Sequence, residues 1–175
     1  MAALALIQTV HAVPITGNIG FSGTANLDSG SVQTATEVAS WGANVVGSTS
    51  GSFTTVTLGS LVTLTSPWSF TSGSINSFWS VGGFTFNLIS SSIHSQDGSF
   101  LNVLMNGTVT GNGFTATPYS GAFSVQNPPS DGVVQYTESL SFNPPGSVPD
   151  GGATVMLLGT ALCGLALVKH KFALP

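Results

Sequence analysis

The sequence predicts an all-β protein: an antiparallel β-sandwich or jelly-roll-like body with a single C-terminal hydrophobic helix. Three observations point there. Apolar and polar residues alternate in several stretches, as in Phe84-Thr85-Phe86-Asn87-Leu88, which is the period of a half-buried strand. Gly and Pro clusters recur at short intervals between them, and no helical pattern appears before Ala153. Charged residues make up only 5% of the 175-residue chain, against roughly 25% in an ordinary soluble domain. Low charge with abundant Phe, Val and Thr describes strands with small polar outer faces rather than acidic disorder.

The N-terminus, Ala2-Ala3-Leu4-Ala5-Leu6-Ile7 and then Gln8 to Ala12, reads as the end of a secretory signal. Val10 and Ala12 suit the −3 and −1 positions, which puts the cut between Ala12 and Val13. No basic stretch precedes the apolar run, so residues 1–12 are expected to be the remnant of a longer signal peptide. A short core strand or helix is the alternative for these residues.

Residues 13–142 are expected to form the β domain, with eight to ten short strands. Phe53 to Thr65 is rich in Thr, Val and Leu, with a break at Gly59-Ser60. Leu101 to Met105, Tyr119 to Gln126 and Val133 to Phe142 are further strand candidates, the last two separated by a Pro128-Pro129-Ser130-Asp131-Gly132 loop. Asn106-Gly107 is either a tight hairpin turn or a bulge before the Gly111-Asn112-Gly113 turn. No period repeats at fixed length, so no solenoid is expected. The body is long enough to bury a core of Phe, Leu, Val and Trp.

The charge distribution excludes several functions. The two basic residues, Lys169 and Lys171, lie at the extreme C-terminus, and no Lys or Arg precedes them. Nucleic-acid binding needs cations against phosphates, and the body has none. No P-loop motif is present. The lone Cys163 allows no internal disulfide and no Cys-based zinc site, and it reads as an apolar helix residue.

The candidate chemistry is thin. His94-Ser95-Gln96-Asp97-Gly98 reads as a polar loop ending in an Asp-Gly turn, and no G-x-S-x-G elbow accompanies it. A calcium site from Asp28, Asp97 or Asp131 stays open, because such ligands need not be adjacent in sequence. Glu37 and Glu138 invite a glycosidase pair. Glu138 falls on the Val134-Tyr136-Leu140-Phe142 face, where a carboxylate is costly, but a sheet edge, a bulge or a structural hydrogen bond explains it more simply. Trp41, Trp68 and Trp79 are candidates for stacking on sugar rings, against the simpler reading that they fill the core. No catalytic residue, resident metal or cofactor is assigned.

The tail has three parts. Residues 143–147, Asn-Pro-Pro-Gly-Ser, form a stiff linker. Val148-Pro149-Asp150-Gly151-Gly152 follows, then an uncharged span 153–168, then Lys169-His170-Lys171. As a helix the span is ~24 Å long at ~1.5 Å per residue, short for a hydrocarbon core of ~30 Å. The two lysines would snorkel to the headgroups and stay cytoplasmic, with everything before Ala153 outside.

Short motif, hydrophobic helix and basic stop, in that order over residues 148–171, resemble the exosortase-type sorting signals of Gram-negative bacteria. The branch resembled is the one whose motif is Val-Pro-Asp-Ser-Gly, the VPDSG-CTERM proteins, relatives of the PEP-CTERM proteins. Gly151 stands where that motif has Ser. The resemblance implies that the helix is a transient anchor after export across the inner membrane. A membrane-embedded, transpeptidase-like exosortase would cut at or near Val148, Pro149, Asp150, Gly151 and Gly152. Glycines suit that role because the bare backbone enters a narrow cleft without clash.

The expected protein is therefore a secreted structural component of the cell surface or extracellular matrix, a substrate rather than an enzyme. A carbohydrate-binding module or adhesin using exposed Trp, with extracellular polysaccharide as partner, is the second reading. A secreted hydrolase is the third.

Overall fold

A computed structural model describes residues 12–126 and the backbone of residues 133–141. The leader-like residues 1–11, the Pro128–Gly132 loop, and residues 142–175 with the linker, the expected helix 153–168 and the basic stop lie outside the described residues.

Among the described residues, nine strands form one antiparallel sheet. They are β1 (Asn18–Leu27), β2 (Glu37–Thr49), β3 (Thr63–Leu64), β4 (Trp68–Ser69), β5 (Ile75–Val81), β6 (Phe84–Gln96), β7 (Phe100–Gly111), β8 (Phe114–Gln126) and β9 (Val133–Ser141). Their order is β3-β5-β6-β7-β8-β9-β1-β2-β4. From β5 to β9, neighbours in space are neighbours in sequence. This antiparallel, all-β arrangement fits a sandwich; its connections are those of a meander rather than the crossovers of a jelly roll. Strands β2, β6 and β8 are 13 residues each, longer than the short strands expected.

The period-2 pattern decides which face is inside. On β7, Leu101, Val103, Met105 and Val109 are buried, while Leu104 and Asn106 point outward. On β8, Thr117, Tyr119, Phe123 and Val125 are buried. Gly107 is buried in the same inward row because the Tyr119 ring and the Asn87 carbonyl occupy the space a side chain would need. Asn106-Gly107 is therefore mid-strand and not a turn. The extra residue at this level is on the partner strand: Leu88 pairs with Gly107 and Ser90 with Asn106, which leaves Ile89 as a bulge. The β7–β8 turn falls at Asn112-Gly113, with φ of 50° and 79°, as a tight hairpin between twisted strands requires.

The Phe53–Thr65 stretch is not a strand with a break. Gly51, at φ 60°, ends the run from β2 and sits against the backbone of Thr16 and Gly17. A 3₁₀ helix, Gly51–Thr55, follows and inserts Phe53 into the core, 4.7 Å from the Phe84 ring and 6.0 Å from Phe86. Residues 59–65 then close the sheet. On one side Gly59 N–H donates to Val46 O, Val46 N–H to Ser60 O and Val62 N–H to Asn44 O. On the other, Thr63 pairs with Ser80, Leu64 with Trp79, and Thr65 N–H donates to Phe78 O. One short segment thus bonds to both β2 and β5, so neither strand presents an open edge there.

The chain enters and leaves this domain at one end. Asn18, first in β1, is in register with Ser141, last in β9. Beyond Ser141 the edge of β8 is taken by the N-terminal segment: Thr115 N–H donates to Val13 O, and Ile15 N–H donates to the buried Thr117 hydroxyl. Pro14 makes a parallel bridge to Thr115, and Ile15 is fully buried.

Candidate functional site

The three tryptophans do not form a binding platform. Trp68 and Trp79 are buried, at 1% and 0% exposure, which removes them as sugar-stacking candidates and accords with the simpler reading that they fill the core. Trp68 is the hub of an aromatic cluster with Phe70, Phe78 and Phe123, at centroid distances of 5.6, 5.1 and 5.3 Å. Its indole N–H donates to the Ser72 hydroxyl at 3.2 Å. Trp79 lies flat on Phe86 and leans on Phe21. The physical reason is register: Trp68 pairs with the core residue Val38, and Trp79 stands opposite Phe86. Trp41 is half-buried over Trp68, with its N–H committed to Thr65 O at 2.8 Å. One ring held in this way gives no row for a polysaccharide. The large apolar residues exposed among the described ones are aliphatic, not aromatic.

The titratable candidates are dispersed. Asp28 ends β1 and organises the β1–β2 loop: it accepts from Thr36 N–H at 2.9 Å, Thr36 hydroxyl at 2.6 Å and Glu37 N–H at 3.2 Å. Burial pushes its carboxyl up, but the Thr36 and Glu37 hydrogen bonds outweigh this and hold it below its ordinary value. Asp97 caps the β6–β7 turn, accepting from Ser99 N–H and Phe100 N–H, as the Asp-Gly pattern predicts. His94 is exposed on β6 and Glu37 is half-buried at the start of β2. Glu138 stands in register between Phe21 of β1 and Phe123 of β8. Among the described residues, no group of three or more His, Cys, Asp or Glu is placed to hold a metal ion. Asp131 lies outside the described residues.

Two polar clusters escaped sequence reading. Gln96 donates from Nε2 to both Val32 O at 2.7 Å and Ala35 O at 2.8 Å, and so pins the β1–β2 loop to β6. Ser91 sits buried against Ser72: Ser72 N–H donates to the Ser91 hydroxyl, and Ser91 N–H donates to Ser72 O. Both tie a loop to a strand over long sequence separations, and composition carries no signal for that. An open groove of about 400 Å³ runs past Leu61, Thr63, Ser80, Gly82, Phe84 and Thr85. Its lining contains no titratable side chain.

Ala12 and Val13, the expected cleavage pair, are both exposed. The tail candidates Val148, Pro149, Asp150, Gly151, Gly152, Lys169 and Lys171 lie outside the described residues. Among the described residues, no helix is long and apolar enough to cross a membrane.

Comparison with known proteins bears on the tail. Residues 147–172 match the model of the VPDSG-CTERM motif. Such a signal belongs to secreted proteins sorted to the cell surface by an exosortase, a membrane enzyme. No curated protein and no solved structure matches the chain.

Proposed function

We propose that this chain is a structural, non-catalytic β domain of the cell surface or extracellular matrix, delivered there by cleavage of its C-terminal signal. The observation that carries the reading is the motif match at residues 147–172, joined to a body that spends Trp68, Trp79 and most of its described phenylalanines on its core. Residues 153–168 act as a transient anchor in the inner membrane of a Gram-negative cell, with Lys169 and Lys171 on the cytoplasmic side. An exosortase cuts at or near Val148–Gly152 and releases or transfers the body. A surface rich in hydroxyl and amide groups, with few acids and no Lys or Arg before Lys169, supports a packing role. Cross-strand hydrogen bonds such as Asn26 Nδ2 to Ser40 Oγ at 2.8 Å and Ser120 Oγ to Asn106 Oδ1 at 3.0 Å link polar side chains on exposed positions.

The test is fractionation of cells expressing the full chain or a deletion of Val148–Gly152. The wild type should appear shortened at the surface or in the medium, and the deletion should stay full length in the membrane. Both remaining full length in the membrane would refute the sorting reading.

A further inference from the structure

We propose that Asn112 is a modification site: its side-chain amide is lost by spontaneous deamidation in the folded protein, and the loss unties two neighbouring hairpin turns. The sequence holds two Asn-Gly pairs, Asn106-Gly107 and Asn112-Gly113. Glycine after asparagine leaves the next backbone nitrogen open to the side-chain amide carbon, because no Cβ shields it. The two pairs share this intrinsic chemistry, and the fold separates them. Gly107 is paired on both sides, with Leu88 of β6 and Tyr119 of β8. A Cβ there would meet the Asn87 carbonyl and the Tyr119 ring, so the backbone has no room to turn. The Ser120 hydroxyl further fixes Asn106 by donating to its Oδ1 at 3.0 Å. Gly113 is the opposite case. It is exposed at the tip of the β7–β8 turn, at φ 79°, and nothing lies within 4 Å of where its Cβ would be. Asn112 beside it is exposed at φ 50°.

The reaction needs only water. Hydroxide takes the Gly113 N–H proton, the nitrogen attacks Cγ of Asn112, and a cyclic imide forms as the Cγ–Nδ2 bond breaks. Solvent returns a proton to the leaving nitrogen, which departs as ammonia. Water then opens the imide at Cγ, giving aspartate, or at the backbone carbonyl carbon, giving isoaspartate. The fold sets the rates through the opening each site requires. At Asn112 one exposed hydrogen bond must break first, from Nδ2 to Gly82 O at 3.0 Å. A bond of that kind delays the attack by only a few-fold. Freeing Gly107 means opening the middle of the sheet, which approaches global unfolding and delays the attack by ~10³-fold or more. The same bond gives the modification its consequence. Asn112 packs over Gly83 and bonds to Gly82, so it ties the β7–β8 turn to the β5–β6 turn. A carboxylate at 112 has no N–H to donate and faces the Gly82 carbonyl, and no Lys or Arg of the body offsets its charge.

The experiment incubates the folded full chain at mildly alkaline pH, in parallel with the same chain in urea. Chymotrypsin, cutting after Phe100 and Phe114, releases residues 101–114 as one peptide, so fragment masses read both Asn-Gly pairs against each other. In urea the two sites should each gain one mass unit at comparable rates. In the folded chain Asn112 should convert ~10-fold or more faster than Asn106. A smaller gap, or no conversion at Asn112, overturns the proposal. A gap of the same size in urea also overturns it, because the local sequence and not the fold would set the difference. Asn112→Asp tests the consequence: amide exchange from Gly82 to Phe84 should rise above that of the wild type, and unchanged exchange overturns the untying.

Discussion

The indole of Trp41 lies over that of Trp68, with centroids 6.0 Å apart and planes 20° apart. The upper ring is half-exposed and tethered to Thr65 O; the lower one is sealed among three phenylalanines. The two should therefore respond differently. Trp68→Ala removes a fully packed side chain and should cost ~3–5 kcal/mol of unfolding free energy. Trp41→Ala loses partial burial and a stacked neighbour, for roughly 1–3 kcal/mol. Urea denaturation followed by far-UV circular dichroism checks both; equal costs would mean that Trp41 is as deeply packed as Trp68.

Asp28 makes the acid limb of stability specific. Its folded pKa is depressed, because hydrogen bonds from Thr36 and Glu37 to the carboxylate outweigh burial. The sign follows: the contribution is fully present above the unfolded aspartate pKa of about 3.9 and is lost as pH falls through the lower folded value. Asp28→Asn should lower stability at neutral pH and flatten the acid-induced loss, with the two proteins converging at low pH. Parallel curves for wild type and variant would remove Asp28 from the titration.

Gln96 holds the β1–β2 loop from a distance. Gln96→Ala leaves the carbonyls of Val32 and Ala35, two buried residues, without their side-chain donor, and an unmet buried group costs ~1–3 kcal/mol. Gln96→Glu has a similar shape but no N–H, so it should be no better than Ala. Amide hydrogen exchange in residues 29–36 should rise in both variants. Unchanged protection would show that the loop stands without Gln96.

The all-β body was readable because the physics that forms it is local. The Phe84–Leu88 alternation becomes the start of β6, and Phe84, Phe86 and Leu88 are all buried as their period demands. The Asp97 turn was likewise visible in Asp-Gly. What sequence hid depends on distant partners. Asn106-Gly107 looks like a turn, but Tyr119, on another strand, is what requires the glycine. Phe53 to Thr65 has strand composition, but Gly51 packing on Gly17 turns its beginning into a 3₁₀ helix. Trp68 and Trp79 could be ligand-facing or core-facing until register set them opposite Val38 and Phe86. The sorting motif was legible because it is read as a linear segment, in order, by another protein.

The absence of Lys and Arg before Lys169 gives a further check that does not depend on the fold. The body from Val13 to Ser147 should survive trypsin even in denaturant, while chymotrypsin, which cuts at its Phe, Tyr and Trp residues, should digest the unfolded chain. Tryptic fragments arising within Val13–Ser147 would contradict the sequence itself.

The most direct test of the central claim is the intact mass of the protein recovered from the surface or medium of the cells that make it. The account predicts a chain that starts at Val13 and ends within Val148–Gly152, lacking residues 153–175, with any added mass belonging to the acceptor of the transfer. A surface protein that still ends at Pro175 would contradict it.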